Sequence, residues 1–249
     1  MRTGKARTAA GAAVAVAVVV SMLAAEPAGA HGSAFMGGSA PANVFRELAT
    51  LFGPDAAFSA RVDVVRASGT RPTVHQHLTY HLAAGKLRVD EDINETTGLP
   101  AGAAARRKEM GVDVQFRVVH LAPPVTHLIF PRLEAYAAYP AATPATIEIE
   151  RQTVGEDSVD GVPCLKHRVR LLVAGEPTDY TLWTRKDDPR IPVKLHEAAH
   201  DDVTATFHDV RWEPPAATLF EVPKNYARFE SLRKVAEAKL PIKRQTGAE

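Results

Sequence analysis

The feature that most constrains the fold of this 249-residue chain is an alternation of apolar and polar residues that recurs in about ten segments. Successive side chains of a β-strand point to opposite sides, so alternation sets one side against a core and the other in water. Repeated alternation is typical of one antiparallel sheet with an apolar and a polar face, which predicts a mainly β (α+β) protein. The apolar members of these segments are Phe58, Ala60, Val62 and Val64; Val74, Leu78, Tyr80 and Leu82; Leu87 and Val89; Phe116 and Val118; Leu128 and Phe130; Ile147 and Ile149; Leu165, Val169 and Leu171; Tyr180 and Leu182; Val193 and Leu195; and Val203, Ala205 and Phe207.

Only three segments carry a helical pattern. Helices are predicted at Ala42–Leu51, at Ala101–Met110, where Gly111 ends the helix, and at Asn225–Leu240. Two or three helices cannot cover the apolar face of about ten strands, so the sheet is predicted to curl on itself. A curled sheet that its side chains do not fill leaves an apolar cavity, whereas a filled one is a packed structural barrel without ligand. Both alternatives stay open.

The first thirty residues have the layout of an export signal. A basic stretch at residues 2–7 precedes the apolar run 11–23, and Ala28-Gly-Ala30 is a small-residue cleavage motif. The apolar run is short for a membrane span. We therefore expect a signal peptide over residues 1–30, cleavage near Ala30, and a periplasmic or secreted protein.

No change in composition divides the remainder of the chain. We expect a single domain over residues 42–240, between a flexible segment at 31–41 and a flexible tail at 241–249. The 30 Lys+Arg and 29 Asp+Glu residues give a formal net charge of +1, which argues against a strongly basic nucleic-acid-binding protein. The single cysteine, Cys164, excludes a disulfide scaffold. We expect a monomer that binds no nucleic acid.

Six short segments, taken in their order along the chain, allow a comparison with a known family. They are Ala57-Phe-Ser-Ala-Arg61; Gly85-Lys-Leu-Arg-Val-Asp90; Leu128-Ile-Phe-Pro131, with Tyr136 and Tyr139 beyond it; Val159-Asp-Gly-Val-Pro-Cys164; Leu182-Trp-Thr184 with Ile191-Pro-Val-Lys194; and Leu219-Phe-Glu-Val-Pro-Lys-Asn-Tyr226.

Over residues 43–230 this series resembles the LolA/LolB-like lipoprotein-carrier superfamily, in a branch related to outer-membrane lipoprotein sorting. The resemblance implies an unclosed antiparallel β-barrel of about ten strands with two or three covering helices. It also implies that a lipid, an acyl chain or a lipoprotein binds the apolar concave face, in a carrier or a sensor that is not an enzyme and has no cofactor. An envelope protein is the other partner that the resemblance suggests.

Strand parity, taken with this resemblance, selects the residues that we expect to face the ligand. The helix at Asn225–Leu240 or the helix at Ala101–Met110 is expected to be the lid. The candidate ligand-binding residues are Val62, Val64, Leu78, Tyr80, Val89, Phe116, Val118, Leu128, Phe130, Val169, Leu182, Leu195 and Phe207.

Three groups of histidines offer metal-binding alternatives. His196-Glu197-Ala-Ala-His200 matches the H-E-x-x-H pattern of zinc proteases, which needs a helix to bring both imidazoles to one metal. Prolines precede the match and an alternating segment follows it, so a solvent-facing hairpin is the competing interpretation. On a strand the two histidines lie about 13 Å apart, at ~3.3 Å per residue, and cannot share one zinc.

The other histidines share a strand face or begin the expected mature chain. His75, His77 and His81 lie on the polar side of one predicted strand, where they are either solvated or part of a metal site. His31 follows the expected cleavage site, and a free N-terminal histidine can chelate copper. We expect no metal and no catalytic residue from these groups.

Overall fold

The computed structural model describes residues 51–52, 55–68, 71–121, 124–140, 147–173, 176–198 and 202–239. The predicted signal peptide, the segment at 31–41 and the tail at 241–249 lie outside these residues, as does most of the predicted helix Ala42–Leu51. Leu51 and Phe52 are helical.

Twelve strands and two α-helices make up the described chain. The strands are β1 Phe58–Ser68, β2 Arg71–Ala83, β3 Lys86–Asp92, β4 Val114–Leu121, β5 Pro124–Phe130, β6 Ala135–Pro140, β7 Ile147–Val159, β8 Val162–Val173, β9 Glu176–Arg185, β10 Pro192–Ala198, β11 Asp202–Arg211 and β12 Ala227–Phe229. The helices are α1 Ala103–Glu109 and α2 Leu232–Lys239, and short 3-10 turns lie at Ile93–Glu95, Pro131–Leu133 and Ala217–Phe220.

All twelve strands form one sheet in the order β12-β6-β5-β4-β3-β2-β1-β11-β10-β9-β8-β7. The sheet consists of two antiparallel meanders, β1–β6 and β7–β11, joined by the pairing of β1 with β11. Strand β12 adds to β6 in parallel. Because β12 and β7 lie at opposite ends and do not pair, the sheet is an unclosed barrel, as predicted.

Two tight hairpins show how the sequence sets the register of the meanders. Ala84 and Gly85 connect β2 to β3, and Asp160 and Gly161 connect β7 to β8. All four residues have positive φ, between 47° and 81°. This is the conformation of a two-residue turn whose twist matches that of the strands.

The prediction for the last helix is wrong in its first part. Residues Ala227–Phe229 are a strand, because they pair with Ala135–Ala137 at the edge of the sheet. Helix α2 begins after Ser231, whose Oγ accepts a hydrogen bond from the backbone N–H of Lys234 at 3.3 Å. The helix predicted at Ala101–Met110 is confirmed as α1.

The two faces of the sheet are packed differently along its length. We call the face that carries Val62, Leu78 and Leu182 the inner face and the opposite one the outer face. On the inner face, buried side chains of β1, β2 and β8–β11 form one apolar cluster, against which Leu51 and Phe52 pack. The rings of Phe52 and Phe207 meet edge to face, with their centroids 6.0 Å apart.

Strands β3–β6 and β12, the double-packed half, have apolar clusters on both faces. Strands β1, β2 and β7–β11, the single-packed half, bury mainly their inner face, apart from a small cluster around Cys164 and Trp183. In the double-packed half, α2 and the residues that follow α1, Met110 and Val112, pack on the inner face, and the strap, residues 217–226, covers the outer face.

Candidate ligand-binding face

Eleven of the thirteen predicted ligand-facing residues lie together on the inner face. The register shows this directly, because Val62 is paired with both Leu78 and Phe207. The same face continues through the pair Leu182 and Leu195. The eleven residues are Val62, Val64, Leu78, Tyr80, Val89, Leu128, Phe130, Val169, Leu182, Leu195 and Phe207.

Phe116 and Val118 point to the outer face, contrary to the prediction. Arg117 is paired with Val89 on one side and with Leu128 on the other, so Arg117 is the inner residue of this part of β4. Its neighbours therefore face outwards. The prediction failed because both faces of β4 are apolar, so that an apolar residue does not identify the inner side.

The strap is what buries Phe116 and Val118. Phe220 is 2% exposed and packs with Val118 in the outer cluster of the double-packed half. Arg88 fixes the strap by donating from Nη1 to the backbone oxygen of Leu219 at 2.9 Å. Its guanidinium also lies 4.1 Å from the ring centroid of Phe116.

Both predicted lid helices lie at the same end of the inner face. Val112, which follows α1, and Val235 of α2 are buried with Leu128 and Phe130 in one cluster. The two lid alternatives are therefore parts of a single cover. The carboxylate of Asp113 holds the start of β4 in place, through an ion pair with Arg132 Nη2 at 3.1 Å and a hydrogen bond from Asn94 Nδ2 at 3.0 Å.

Polar residues also lie buried on the inner face, and the sequence reading missed them. Gln76 Nε2 donates to Glu91 Oε1 at 3.1 Å, and Gln115 Nε2 donates to Glu91 Oε2 at 2.5 Å. Nearby, burial strongly raises the pKa of Tyr80, with opposite smaller effects from Arg117 and Glu91. The sequence did contain a signal for this polar group, because β2, β3 and β4 each carry a polar residue at an inner-face position.

His167 is a second polar group on this face. Its Nδ1 lies 3.0 Å from Thr153 Oγ1, and its Nε2 lies 2.9 Å from Thr184 Oγ1. Arg151 Nη2 approaches the same Nε2 at 3.0 Å. Burial, and then the charge of Arg151, lowers the pKa of His167 to about 4, so the ring is neutral at pH 7.

The H-E-x-x-H match does not form a zinc-protease helix. His196 and Glu197 are consecutive residues of β10, so they point to opposite faces. His196 Nε2 lies 2.6 Å from Asp202 Oδ1 on the outer face, whereas Glu197 is buried on the inner face rather than facing solvent. His200 lies outside the described residues.

The histidines of β2 and their neighbours have hydrogen-bonding partners on the outer face. His77 Nδ1 and His208 Nε2 lie 2.6 and 3.0 Å from the two oxygens of Asp63. They border an outer cavity of ≈ 460 Å³, and His81 Nδ1 lies 2.8 Å from Ser59 Oγ. Within the described part of the chain, no three His, Cys, Asp or Glu side chains are arranged to hold a metal ion. His31 lies outside that part.

The single thiol is buried, and the described helices are short. Cys164 is buried, its Sγ lies 3.2 Å from the backbone oxygen of Val162, and burial raises its pKa. Of the helices in the described segments, none has the length and apolar character needed to cross a membrane.

Comparison with known proteins gives matches among solved structures only. No family model and no curated protein matches the chain. It is similar to a LolA superfamily protein from Nitrosomonas europaea, with 10% identity, 74% of this chain and 98% of that chain covered, and a TM-score of 0.35. It is also similar to the lipoprotein LppX of Mycobacterium tuberculosis, with 10% identity, 73% and 98% covered, and a TM-score of 0.36. A DUF1329 family protein from Desulfovibrio piger is similar at 9% identity, with 72% and 95% covered and a TM-score of 0.34. The unclosed sheet itself is established by the strand pairing described above.

Proposed function

We propose that the protein is an exported envelope protein that holds an acyl chain of a lipid or lipoprotein against its inner face. The observation that carries this proposal is a series of inner-face residues from Val169 on β8 to Leu128 on β5, apolar except for Arg117 on β4, in a sheet that does not close. The series crosses nine neighbouring strands, which at ~4.8 Å per strand is an arc of about 38 Å. A long, slender apolar ligand matches a face of this shape.

The chemistry of the face favours an acyl chain over a polar substrate. Each methylene group buried against the face contributes ~0.8 kcal/mol, so a long chain binds tightly without needing a charged anchor. The lid formed by α1 and α2 lies at one end of the face, where Val112 and Val235 meet Phe130. Opening this lid would expose Leu128 and Phe130 without any change in the strand pairing.

Native mass spectrometry of the protein, purified without detergent from an exporting bacterial host, tests the proposal. The expected result is an added mass in the lipid range that disappears on denaturation. A bare protein mass after incubation with phospholipid vesicles would instead favour the packed structural barrel. The same spectrum tests export, because the mature chain is expected to begin at His31.

A pair of substitutions on β11 separates the two faces. Phe207→Asp places a charge on the inner face and should abolish the lipid adduct, whereas Thr204→Asp, at an outer position of the same strand, should leave it intact. Circular dichroism establishes whether each variant folds. If Phe207→Asp does not fold, Phe207→Asn is the substitute, because it makes the same inner-face position polar without burying a charge. Equal lipid adducts in the folded inner-face and outer-face variants would contradict the proposal.

A further inference from the structure

Three buried polar residues form a compact group at one end of the inner face. We call Gln76, Glu91 and Gln115 the rim triad. Each is less than 9% exposed, and both carboxylate oxygens of Glu91 accept hydrogen bonds from the two glutamine amides, at 3.1 and 2.5 Å. The triad spans three adjacent strands, β2, β3 and β4, because Glu91 is the register partner of Gln115.

The position of the triad is the border between the apolar face and the lid. Glu91 is the next-to-last residue of β3 and Gln115 is the second residue of β4. The chain between them carries α1 and ends in Val112, which packs beneath the lid. On its other side the triad adjoins apolar ligand-face residues, since Leu78 is the register partner of Glu91. An amphipathic molecule lying along the face would place its polar end here.

One acceptor of the triad is buried without a donor. A carboxylate can only accept hydrogen bonds, so Gln115 must turn its NH₂ group towards Glu91. Its Oε1 then points elsewhere, and it has no hydrogen-bond partner among the described residues. Asp113 Oδ1, in the connection between β3 and β4, is a second acceptor that is buried without a partner there. Buried polar atoms normally find partners, so a local surplus of acceptors points to a donor that arrives from outside the chain.

The charges around the triad favour a neutral donor. The negative charge of Glu91 has the positive charge of Arg117 on the same inner face, and both groups act on Tyr80 with opposite signs. The negative charge of Asp113 is matched by Arg132 at 3.1 Å. The formal charges of these four groups sum to zero. A further carboxylate nearby, Asp92, is only partly buried, and Asn94 donates to its Oδ1, so an ammonium group would find no unmatched buried carboxylate among the described residues around the triad.

We infer that the rim triad binds the headgroup of a neutral, hydroxyl-bearing lipid, with Gln115 Oε1 accepting a hydrogen bond from a headgroup hydroxyl. This inference rests on the proposed function, because the tail of the same molecule would occupy the apolar face. It adds a selectivity that an apolar face alone lacks: among ligands with equal chains, those with hydroxyl donors bind best.

Competition between ligands of equal chain length tests the inference on the unaltered full chain, expressed and processed in an exporting host. 1-Monopalmitoylglycerol is mixed at equal concentration with methyl palmitate, which has no donor, or with hexadecylammonium, which has a charged one. Native mass spectrometry then measures the three complexes. One additional hydrogen bond predicts a preference for monopalmitoylglycerol over methyl palmitate of about twofold to tenfold.

Gln115→Met keeps the length of the side chain but removes both the Oε1 acceptor and the Nε2 donor to Glu91. The preference for monopalmitoylglycerol over methyl palmitate is expected to disappear. The matched control is Gln152→Met, the same substitution at an exposed position of β7, which should keep the preference. Because Gln115→Met leaves Glu91 Oε2 without its amide donor, its melting temperature is expected to fall further than that of the control, so the ratio of the two lipid complexes in the folded variant is the readout of binding.

The outcomes separate the inference from the proposed function. Equal binding of monopalmitoylglycerol and methyl palmitate would overturn the rim triad as a headgroup site while leaving acyl-chain binding in place. Stronger binding of hexadecylammonium would overturn the neutral headgroup. Binding of none of the three would overturn both proposals. These comparisons use the unaltered protein, so they hold even if the methionine variant fails to fold.

Discussion

The single-packed and double-packed halves share one sheet but use their two faces differently. In the single-packed half, inner residues such as Val62 and Leu182 are fully buried, while the outer face carries ion pairs such as that of Arg170 with Asp179. In the double-packed half, Phe130 is buried on the inner face and Val118 on the outer. The difference lies in what covers each face.

This difference explains where strand parity succeeds as a guide to the ligand face. A strand with one wet face alternates, so its apolar residues identify the inner side. A strand covered on both faces does not, and β4, with the sequence VQFRVVHL, has apolar residues on both sides. Alternation is therefore a property of the strand together with its covers.

The largest expected change in the free energy of unfolding tests whether the outer face of the double-packed half is part of the hydrophobic core. Phe220→Ala removes a strap side chain that is 2% exposed, so it should lower the free energy of unfolding by about 3–5 kcal/mol. The control is Ile149→Ala on the edge strand β7, where the side chain is 36% exposed and the loss should stay below about 1 kcal/mol. Urea denaturation measures both. Similar small losses would mean that the strap is not part of the core.

The next effect concerns the connection between β3 and β4, which lies against β2 of the single-packed half. His75 and Thr97 form a backbone bridge, and beside it a Cβ on Gly98 would lie 1.9 Å from the backbone oxygen of Thr73. Gly98 also has φ +78°, so Gly98→Ala should cost about 2–4 kcal/mol through both strain and collision. Gly102 has nearly the same φ but open space around it, so Gly102→Ala should cost only about 1–2 kcal/mol. Thermal or urea unfolding of the pair gives the comparison, and equal losses would show that the backbone yields at Gly98.

The smallest effect lies in the single-packed half and depends on pH. The folded protein keeps His167 neutral down to about pH 4, whereas the unfolded chain binds a proton near pH 6.5. The unfolded state therefore binds more protons between these values, and the free energy of unfolding should fall as pH is lowered from about 6.5 to about 4. His167→Gln should flatten this dependence when urea denaturation is repeated at each pH.

The other histidines contribute equally to the pH dependence of the unaltered protein and of His167→Gln. Burial also lowers the pKa of His81, His120 and His127, and these residues are present in both proteins. Only the difference between the two pH profiles reports on His167. Profiles with the same slope would mean that the ring is solvated despite its contacts with Thr153 and Thr184.

The sequence predicted the architecture well because most strands have one wet face. Ten of the twelve strands correspond to predicted alternating segments, and the two missed ones have local reasons. Strand β6 has the sequence AYAAYP, in which the buried positions Ala135 and Ala137 are too small to give an apolar signal. Strand β12 has three residues and exists only because it pairs with β6.

The candidate site was predicted in outline but not in its polar detail. Eleven apolar positions follow from alternation, which is a local property. The meeting of Gln76, Glu91 and Gln115 depends on the register of β2, β3 and β4, and no single segment contains it. The H-E-x-x-H match failed for the opposite reason: it is a local pattern whose chemistry requires a helix, and β10 is a strand.

The route of the chain after β11 bears on the order in which this molecule can assemble during synthesis. The strap reaches the outer face, β12 the sheet edge and α2 the inner face, all within residues 217–239. Strands β3–β6 are made well before any of these covers, so a nascent chain must carry them with both apolar faces bare. Their completion waits for residues 217–239, which makes the closing step non-local and slow. Until those residues are made, β3–β6 depend on other molecules or on each other to keep their apolar faces from water.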